Sequence, residues 1–180
     1  MMKATKIILP AFAAFLAVMF ALTLESVSAT QWNAYQWPVS SWADLQKAIN
    51  EAEEGEVIVL EKDIQAGEED TVLAVPDRSS VSVTIDLNGH VLDRNLSGPA
   101  YNGNLFNVEG SLTIIDSAPD TPHKNGDNDI YSYKIGERTI GVTGGIITGG
   151  SLSGNGGAIY VDGGKTLVLN GGTIDRKSVV

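Results

Sequence analysis

Residues 156–174, GGAIYVDGGKTLVLNGGTI, place pairs of glycines seven or eight residues apart with only a few apolar residues between them. Further pairs begin at 144 and 149, and 12 of the 20 glycines of the chain follow residue 140. Because glycine tolerates a positive φ and a close approach of neighbouring backbone, such pairs mark sharp corners between short strands. The pattern therefore predicts short strands joined at glycine corners.

The glycine-rich region also repeats itself. TGGIIT (143–148) recurs as NGGTID (170–175) at an offset of 27 residues. NLFNVEGSLTI (104–114) resembles AIYVDGGKTLVL (158–169) at an offset of 53, which becomes 55 after one gap. Repeats with periods of roughly 20–50 residues are typical of solenoids, whose units bury their apolar faces by stacking on each other. Residues 55–174 would make about five such units.

One helix is predicted over residues 41–54, before the repeats. Its apolar residues recur at helical spacing behind Ser41, with Asp44 three residues later and Gly55 after the end as start and stop signals. Short β-branched and apolar runs then predict strands at 56–60, 72–75, 82–87, 104–108 and 111–115.

Three features carry a resemblance to a known class of proteins: the stretch SWADLQKAINEAEEGEVIVL (41–60), the segment VTIDLNGHVL (83–92), and the repeating GGxI and GxxLxL units. Together, over residues 41–174, they resemble the right-handed parallel β-helix proteins of the pectate-lyase-like class, in particular the glycine-rich repeat proteins of bacterial cell surfaces. The glycine units alone also fit a bulged antiparallel β-sandwich.

The resemblance implies an all-β, right-handed parallel β-helix solenoid. In this organisation residues 41–54 form a helix that caps the N-terminal end, residues 30–40 lead into it, and residues 55–180 form the repeats, with 116–137 as an inserted loop. The repeat is still running at LNGGTIDRKSVV. The sequence therefore predicts a C-terminally truncated β-helix, whose open edge promotes self-association.

Alternate residues of a strand share one face, so the strands divide into inward and outward positions. The residues predicted to point inward are Ile85, Leu87, Phe106, Val108, Leu112, Ile114, Ile159, Val161, Leu167 and Leu169. The residues predicted to face out are Asp86, Asn88, Thr113, Tyr160 and Val168.

The N-terminus has the pattern of a secretory signal peptide. Lys3 and Lys6 precede an apolar run from residue 7 to 24, and small residues follow as far as Ala29. Residues 1–29 are therefore predicted to be removed on export, which predicts a secreted or cell-surface protein with no stable membrane span after cleavage. An uncleaved anchor helix is the alternative, but Pro10 interrupts the run.

The remainder of the chain is acidic and has no cysteine. The whole chain has 12 Lys and Arg against 22 Asp and Glu; removing two lysines and Glu25 with the leader leaves 10 against 21, a net charge of −11. This charge argues against a nucleic-acid partner and indicates a solvated surface. Without cysteine, disulfides and thiolate metal sites are excluded.

The sequence supplies little catalytic chemistry. The two histidines, His90 and His123, have no metal-site spacing and are interpreted as surface residues. Asp86, Asp116 and Asp162 lie beside strands and could stack into an acidic cluster, with Arg94 or Arg138 as a base. The favoured interpretation is that these acids solubilise the outer face, so no catalytic or metal-binding residue is predicted.

Candidate binding residues come from two places. In the insertion, Asn125, Asp127 and Asp129 alternate and could bind calcium, although a solvated turn fits the pattern better. Trp32 and Trp37 precede Trp42 at five-residue spacing and could stack on sugars or pack over the end of the core. Asp127, Asp129, Trp32 and Trp37 are therefore the candidate binding residues, with calcium as a possible cofactor.

The sequence thus predicts a secreted or cell-surface β-helix module with a structural or adhesive role, binding glycans or other surface ligands and carrying no catalysis of its own. The alternative is a fragment of a polysaccharide lyase or glycoside hydrolase of the same class. An enzyme needs its acids gathered in one groove, whereas a structural module leaves them dispersed.

Overall fold

The computed structural model describes residues 35–135, 137–152 and 157–175, which form one helix and sixteen short strands. The predicted leader, Trp32 and the tail 176–180 lie outside the described residues. No helix within the described ranges is long and apolar enough to cross a membrane. In chain order the elements are β1 (Gln36–Val39), α1 (Trp42–Glu51), β2 (Val57–Leu60), β3 (Ile64–Gln65), β4 (Leu73–Val75), β5 (Ser82–Asp86), β6 (Val91–Asp93), β7 (Phe106–Val108), β8 (Ser111–Ile115), β9 (Lys124–Asn125), β10 (Asn128–Asp129), β11 (Ser132–Ile135), β12 (Arg138–Gly141), β13 (Ile146–Thr148), β14 (Ile159–Val161), β15 (Thr166–Leu169) and β16 (Thr173–Ile174).

Three sheets contain most of the strands, and all their pairings are parallel. Sheet A has the order β1-β2-β5-β8-β15, sheet B the order β3-β6-β13-β16, and sheet C the order β4-β7-β14. The fold is therefore all-β with parallel sheets, as predicted, and the antiparallel sandwich is wrong.

From β2 onward, and leaving out the insertion, consecutive strands belong to sheets A, B and C in turn. Three such strands, one in each sheet, make one pass. Outside the insertion, the described strands make three complete passes and two strands of a fourth, fewer than the five predicted units. The difference arises because the insertion between β8 and β13 occupies a length of chain comparable to one pass.

The internal repeats coincide with the register of neighbouring strands, which the sequence analysis did not predict. The offset of 27 pairs Ile146 with Thr173, and the offset of 53 pairs Phe106 with Ile159. The offset of 55 appears in the pairing of Leu112 with Leu167. Strands at the two larger offsets are direct neighbours because the single pass that separates them contains the insertion.

The core lies between the three sheets and α1. The residues predicted to point inward from β5 and its following corner, from β7 and from β8 are all fully buried. Leu169 was predicted to point inward as well, but it is 45% exposed. It lies on β15, the edge strand of sheet A, so no described strand covers it from the next position.

The glycine pair at 144–145 illustrates why the corners require glycine. Gly144 has a φ of +76°, which a side chain would strain. Gly145 has no room for a Cβ, since one built there would collide with the side chain of the buried Leu87. The first glycine therefore supplies the conformation of the turn, and the second permits close packing of successive passes.

Helix α1 begins at the predicted capping pair. The Oγ of Ser41 accepts a hydrogen bond from the backbone N–H of Asp44 at 3.1 Å. Gln46 of the same helix forms two hydrogen bonds with β4, the edge strand of sheet C. Its Oε1 accepts from the N–H of Ala74 at 2.7 Å, and its Nε2 donates to the carbonyl of Ala74 at 2.9 Å. Gln46 thus covers backbone groups of β4 that a neighbouring strand would otherwise pair.

The C-terminal end of α1 is bonded by an arginine from another part of the chain. Arg78, in the connection between β4 and β5, donates from Nη1 to the carbonyls of Ala52 and Asn50 and from Nη2 to the carbonyl of Ile49, at 2.7, 3.2 and 2.8 Å. The last carbonyls of a helix have no partner within the helix and carry partial negative charge. One guanidinium therefore satisfies three of them.

The insertion forms two antiparallel hairpins where the sequence predicted a loop. Strands β9 and β10 pair around a two-residue turn at Gly126 and Asp127, and β11 pairs with β12. A bridge between Pro122 and Thr143 closes the insertion at its base. The pairing therefore continues beyond residue 137, the predicted end of the loop.

Candidate functional site

A groove of about 390 Å³ lies on the outer surface of sheet C. Its lining combines two tyrosines with three asparagines and two aliphatic residues, namely Val72, Tyr101, Asn102, Asn104, Asn107, Leu152 and Tyr160. Clefts in which a few polar groups converge among apolar ones are the usual form of binding sites for small molecules.

The floor of the groove is a row of side chains across the sheet. Asn107 of β7 lies between Ala74 of β4 and Tyr160 of β14 in the parallel register. Neighbouring strands are about 4.8 Å apart, so the aromatic ring and the amide lie side by side on a rigid surface. Tyr160 was predicted to face out and is 42% exposed, which confirms that prediction.

Tyr101 enters the groove from a tight turn rather than from a strand. The N–H of Gly103 donates to the carbonyl of Ala100 at 3.1 Å, and Asn102 has a φ of +57°. Two further bonds connect this turn to Ser151: Ala100 N–H to Ser151 O at 3.0 Å, and Ser151 N–H to Gly103 O at 2.7 Å. Tyr101 is 96% exposed at the tip of this anchored turn.

Position 103 must be glycine because the structure leaves no room for a side chain there. It is buried, and a Cβ built on it would collide with the carbonyl oxygen of Ser151. The close approach of the two backbones determines where the turn lies, and thereby where Tyr101 projects.

Two of the asparagines are held in fixed orientations. Asn104 is only 6% exposed, and its Nδ2 donates to the carbonyl of Phe106 at 2.6 Å. The Nδ2 of Asn107 donates to Oε1 of Glu109 at 2.9 Å. Each amide is thus oriented by a hydrogen bond that its own N–H₂ group donates.

The sequence did not single out this groove as a site. Tyr160 was placed correctly on the outer face, and the offset of 53 that aligns Phe106 with Ile159 also aligns Asn107 with Tyr160. That row could therefore have been found. The position of Tyr101 could not, because its turn lies in a connection that the repeats do not include.

The predicted binding residues lie elsewhere. Asp127 is exposed in the turn of the first hairpin, and Oδ1 of Asp129 forms an ion pair with Nζ of Lys124 at 2.8 Å. Trp37 of β1 is half-buried against the core and pairs with Ile58 of β2. The structure therefore brings Asp127 and Asp129 into one hairpin and places Trp37 on a different sheet. Trp32 lies outside the described residues.

Two of the three candidate catalytic acids accept hydrogen bonds from backbone N–H groups at corners. Asp86 was predicted to face out, but it is 5% exposed, and its Oδ1 accepts from the N–H groups of Asn88 and Ser117 at 2.8 and 2.9 Å. Asp116 is half-buried and accepts three further backbone N–H groups. The prediction that these acids only solubilise the outer face is wrong for both, because tight corners present N–H groups that need acceptors.

The third acid and the two candidate bases are separate from these corners. Asp162 follows β14 of sheet C and accepts from the N–H of Gly163 at 2.8 Å. Arg94 is 8% exposed, and its guanidinium carbon lies 5.6 Å from the ring centre of Trp42. Burial lowers the pKa of Arg94, an effect that the nearby Asp70 opposes. Arg138 is exposed on β12 in the insertion.

The histidines differ from each other in burial. His90 is partly exposed, with Nδ1 3.2 Å from Oδ1 of Asp63. His123 was predicted to lie on the surface, but it is 9% exposed, and its Nε2 lies 2.6 Å from the carbonyl oxygen of Gly144. A carbonyl only accepts, so Nε2 carries the proton. The ring also meets Tyr131 edge-on, with centroids 5.6 Å apart. The prediction failed because the hydrogen-bond partner, Gly144, is 21 positions away in the chain.

Tyr131 has a shifted pKa. Burial raises the pKa of its phenol, and the negative charges of Asp93, Asp63 and Asp175 raise it further. Within the parts of the chain that the structure describes, no group of three or more His, Asp or Glu side chains could hold a metal ion.

A second groove, also of about 390 Å³, lies where the chain enters sheet A. Its charged side chains already have partners within the protein. Nζ of Lys165 pairs with Asp77, and Oε2 of Glu54 accepts from the N–H of Ser82 at 2.7 Å. Arg78 bonds the end of α1, as described above. The groove on sheet C is therefore the better candidate for a ligand.

Comparison of the chain with protein-family models, with curated proteins and with solved structures found no match.

Proposed function

We propose that the chain is a right-handed parallel β-helix module of a secreted or cell-surface protein, with a structural or adhesive role and no catalysis of its own. The repeated order of sheets A, B and C supports this architecture, since each pass adds one strand to each parallel sheet. Right-handed connections are the rule between parallel strands of one sheet. Helix α1 would then cap the first pass, which the two hydrogen bonds between the side chain of Gln46 and the backbone of Ala74 support.

The observation that carries the adhesive role is the groove on sheet C. A rigid parallel sheet presents Tyr160 and Asn107 side by side, and an anchored turn adds Tyr101 to the lining of the same groove. Aromatic side chains beside oriented amides in one cleft are typical of binding sites. Export through the predicted leader would place this surface outside the cell.

The alternative is a fragment of a lyase or hydrolase. Such an enzyme needs carboxylates facing one bond with an acid or base nearby. Oδ1 of Asp86 and both carboxylate oxygens of Asp116 accept hydrogen bonds from backbone N–H groups, and Asp162 follows a strand of another sheet. This arrangement supports the structural or adhesive role over the enzyme.

A retention and turnover assay tests the proposal. The purified full chain is incubated with bacterial cell walls and with a panel of insoluble polysaccharides, with and without calcium. We expect retention on at least one of these surfaces and no release of reducing or unsaturated sugar ends. Retention on none would contradict the adhesive role. Turnover that Asp116→Ala abolishes would instead establish the enzyme alternative.

We also propose that the chain self-associates through the edge formed by β14, β15 and β16. Each of these strands ends its sheet among the described strands, and Leu169 and Ile174 are 45% and 38% exposed there. Unpaired strand edges with exposed apolar residues favour pairing with another chain. In analytical ultracentrifugation at micromolar concentration, we expect dimers or larger species.

The matched variants are Leu169→Lys on the edge and Ile130→Lys in the insertion, where Ile130 is 57% exposed. We expect the first to shift the protein to monomers, because lysine on an edge strand opposes pairing. The second should leave the distribution unchanged. A monomeric wild-type chain, or equal effects of the two variants, would contradict this edge as the interface.

A further inference from the structure

We infer that the groove on sheet C binds an uncharged glycan, that is, a sugar chain without carboxylate, sulfate or amino groups. The inference rests on the proposed adhesive function and specifies its ligand. It follows from three properties of the groove: the absence of charged side chains among the lining residues that the structure describes, the two exposed tyrosine rings, and the fixed asparagine amides.

The charges favour a neutral ligand. None of the seven lining residues is Asp, Glu, Lys, Arg or His. An anionic polysaccharide would find no cation to pair with and would approach a chain whose net charge is −10. A cationic ligand would find no carboxylate among these seven residues, and the carboxylate of Glu109 already accepts a hydrogen bond from Asn107, so burying a positive charge in the groove would be unfavourable. A ligand that binds through hydroxyl groups has neither cost.

The tyrosines suit the flat face of a sugar ring. A pyranose presents C–H groups on its faces and hydroxyls around its rim, and tyrosine offers a broad apolar ring with one polar end. Tyr160 lies on a strand and Tyr101 on an anchored turn, so both are exposed without being on long flexible segments. Little side-chain freedom is lost on binding such residues.

The amides suit the rim of the same ring. An asparagine side chain both donates and accepts, which matches a hydroxyl that does the same. The bonds from Nδ2 of Asn104 to Phe106 O and from Nδ2 of Asn107 to Glu109 fix these amides before any ligand arrives. Asn107 is one strand away from Tyr160, a spacing comparable to the width of one sugar ring.

The test uses the full chain and two sets of polymers. The neutral set is cellulose, mannan and chitin, and the acidic set is polygalacturonate and alginate. We expect retention on at least one neutral polymer, little dependence of that retention on salt, and none on the acidic polymers. Tyr101→Ala and Tyr160→Ala are each expected to weaken binding about tenfold, and the double variant more. Tyr160→Phe, which keeps the ring, should retain most of the affinity.

Tyr35→Ala is the matched control, because Tyr35 is 67% exposed and does not line the groove. It should bind like the wild type, and all variants should keep the wild-type circular dichroism spectrum. Retention on acidic polymers alone, or unchanged neutral binding in the double variant, would overturn the inference. If cell walls retain the chain while no neutral polymer does, the inference fails and the adhesive function stands. If nothing retains it, both fail.

Discussion

Asp116→Ala is expected to lower the free energy of unfolding by about 2–4 kcal/mol, because its carboxylate accepts backbone hydrogen bonds at three corners of the molecule. Its Oδ1 accepts from the N–H groups of Gly89 and Ala118 at 2.8 and 3.3 Å, and its Oδ2 accepts from the N–H of Gly145 at 2.7 Å. Gly89 lies one pass earlier in the chain and Gly145 just after the insertion. Removing the carboxylate therefore loosens three connections at once.

Thermal unfolding followed by circular dichroism measures this effect, and a decrease of roughly 5–15 °C in Tm is expected. Asp116→Asn keeps an acceptor at Oδ1 but turns an N–H₂ toward one of the N–H groups, so its loss should be intermediate. Asp120→Ala is the control, since Asp120 is exposed in the same connection and forms no side-chain hydrogen bond to a described residue. Equal Tm values for Asp116→Ala and Asp120→Ala would refute the role assigned to Asp116.

Gly103→Ala is expected to destabilise the fold by about 1–3 kcal/mol and to displace Tyr101 from the groove. The new Cβ would collide with the carbonyl oxygen of Ser151 and approach that of Ala100 to 2.9 Å. Both are backbone atoms, which cannot move aside as the end of a side chain can. The Tyr101 turn or the segment at Ser151 must therefore shift.

The matched control is Gly98→Ala in the same connection, where a Cβ would meet nothing within 4 Å. We expect Gly103→Ala to lower Tm by roughly 2–12 °C and to reduce retention on the neutral polymer at least as much as Tyr101→Ala does. Gly98→Ala should change neither quantity. Wild-type stability and binding in Gly103→Ala would show that the turn adapts, and that this contact does not position Tyr101.

The repeats allowed much of the fold to be predicted because stacked strands share one environment. A position such as Leu112 packs above and below residues with the same requirement, so the sequence repeats wherever strands are neighbours. This is why Leu112 pairs with Leu167 at the repeat offset of 55, although the offset alone did not show that the two strands are direct neighbours. The insertion could not be placed in this way, since its hairpins pair only within themselves.

The candidate site was less predictable because its parts come from different kinds of structure. Tyr160 follows the alternation of a strand, but Tyr101 depends on the contact of Gly103 with Ser151, which are 48 positions apart in the chain. The burial of Asp86 likewise depends on the N–H of Ser117, one pass later. Pattern within a strand carries no information about such partners.

The bonds of Arg78 to the end of α1 have a consequence for local opening of the protein. Short helices near the end of a fold normally fray, and their amide hydrogens exchange with solvent before those of the sheets. Here the last turn cannot unwind without removing three acceptors from a guanidinium held in the connection to β5. Amide exchange at this end of the helix is therefore coupled to the opening of the connection between β4 and β5, and the two segments exchange as one cooperative unit.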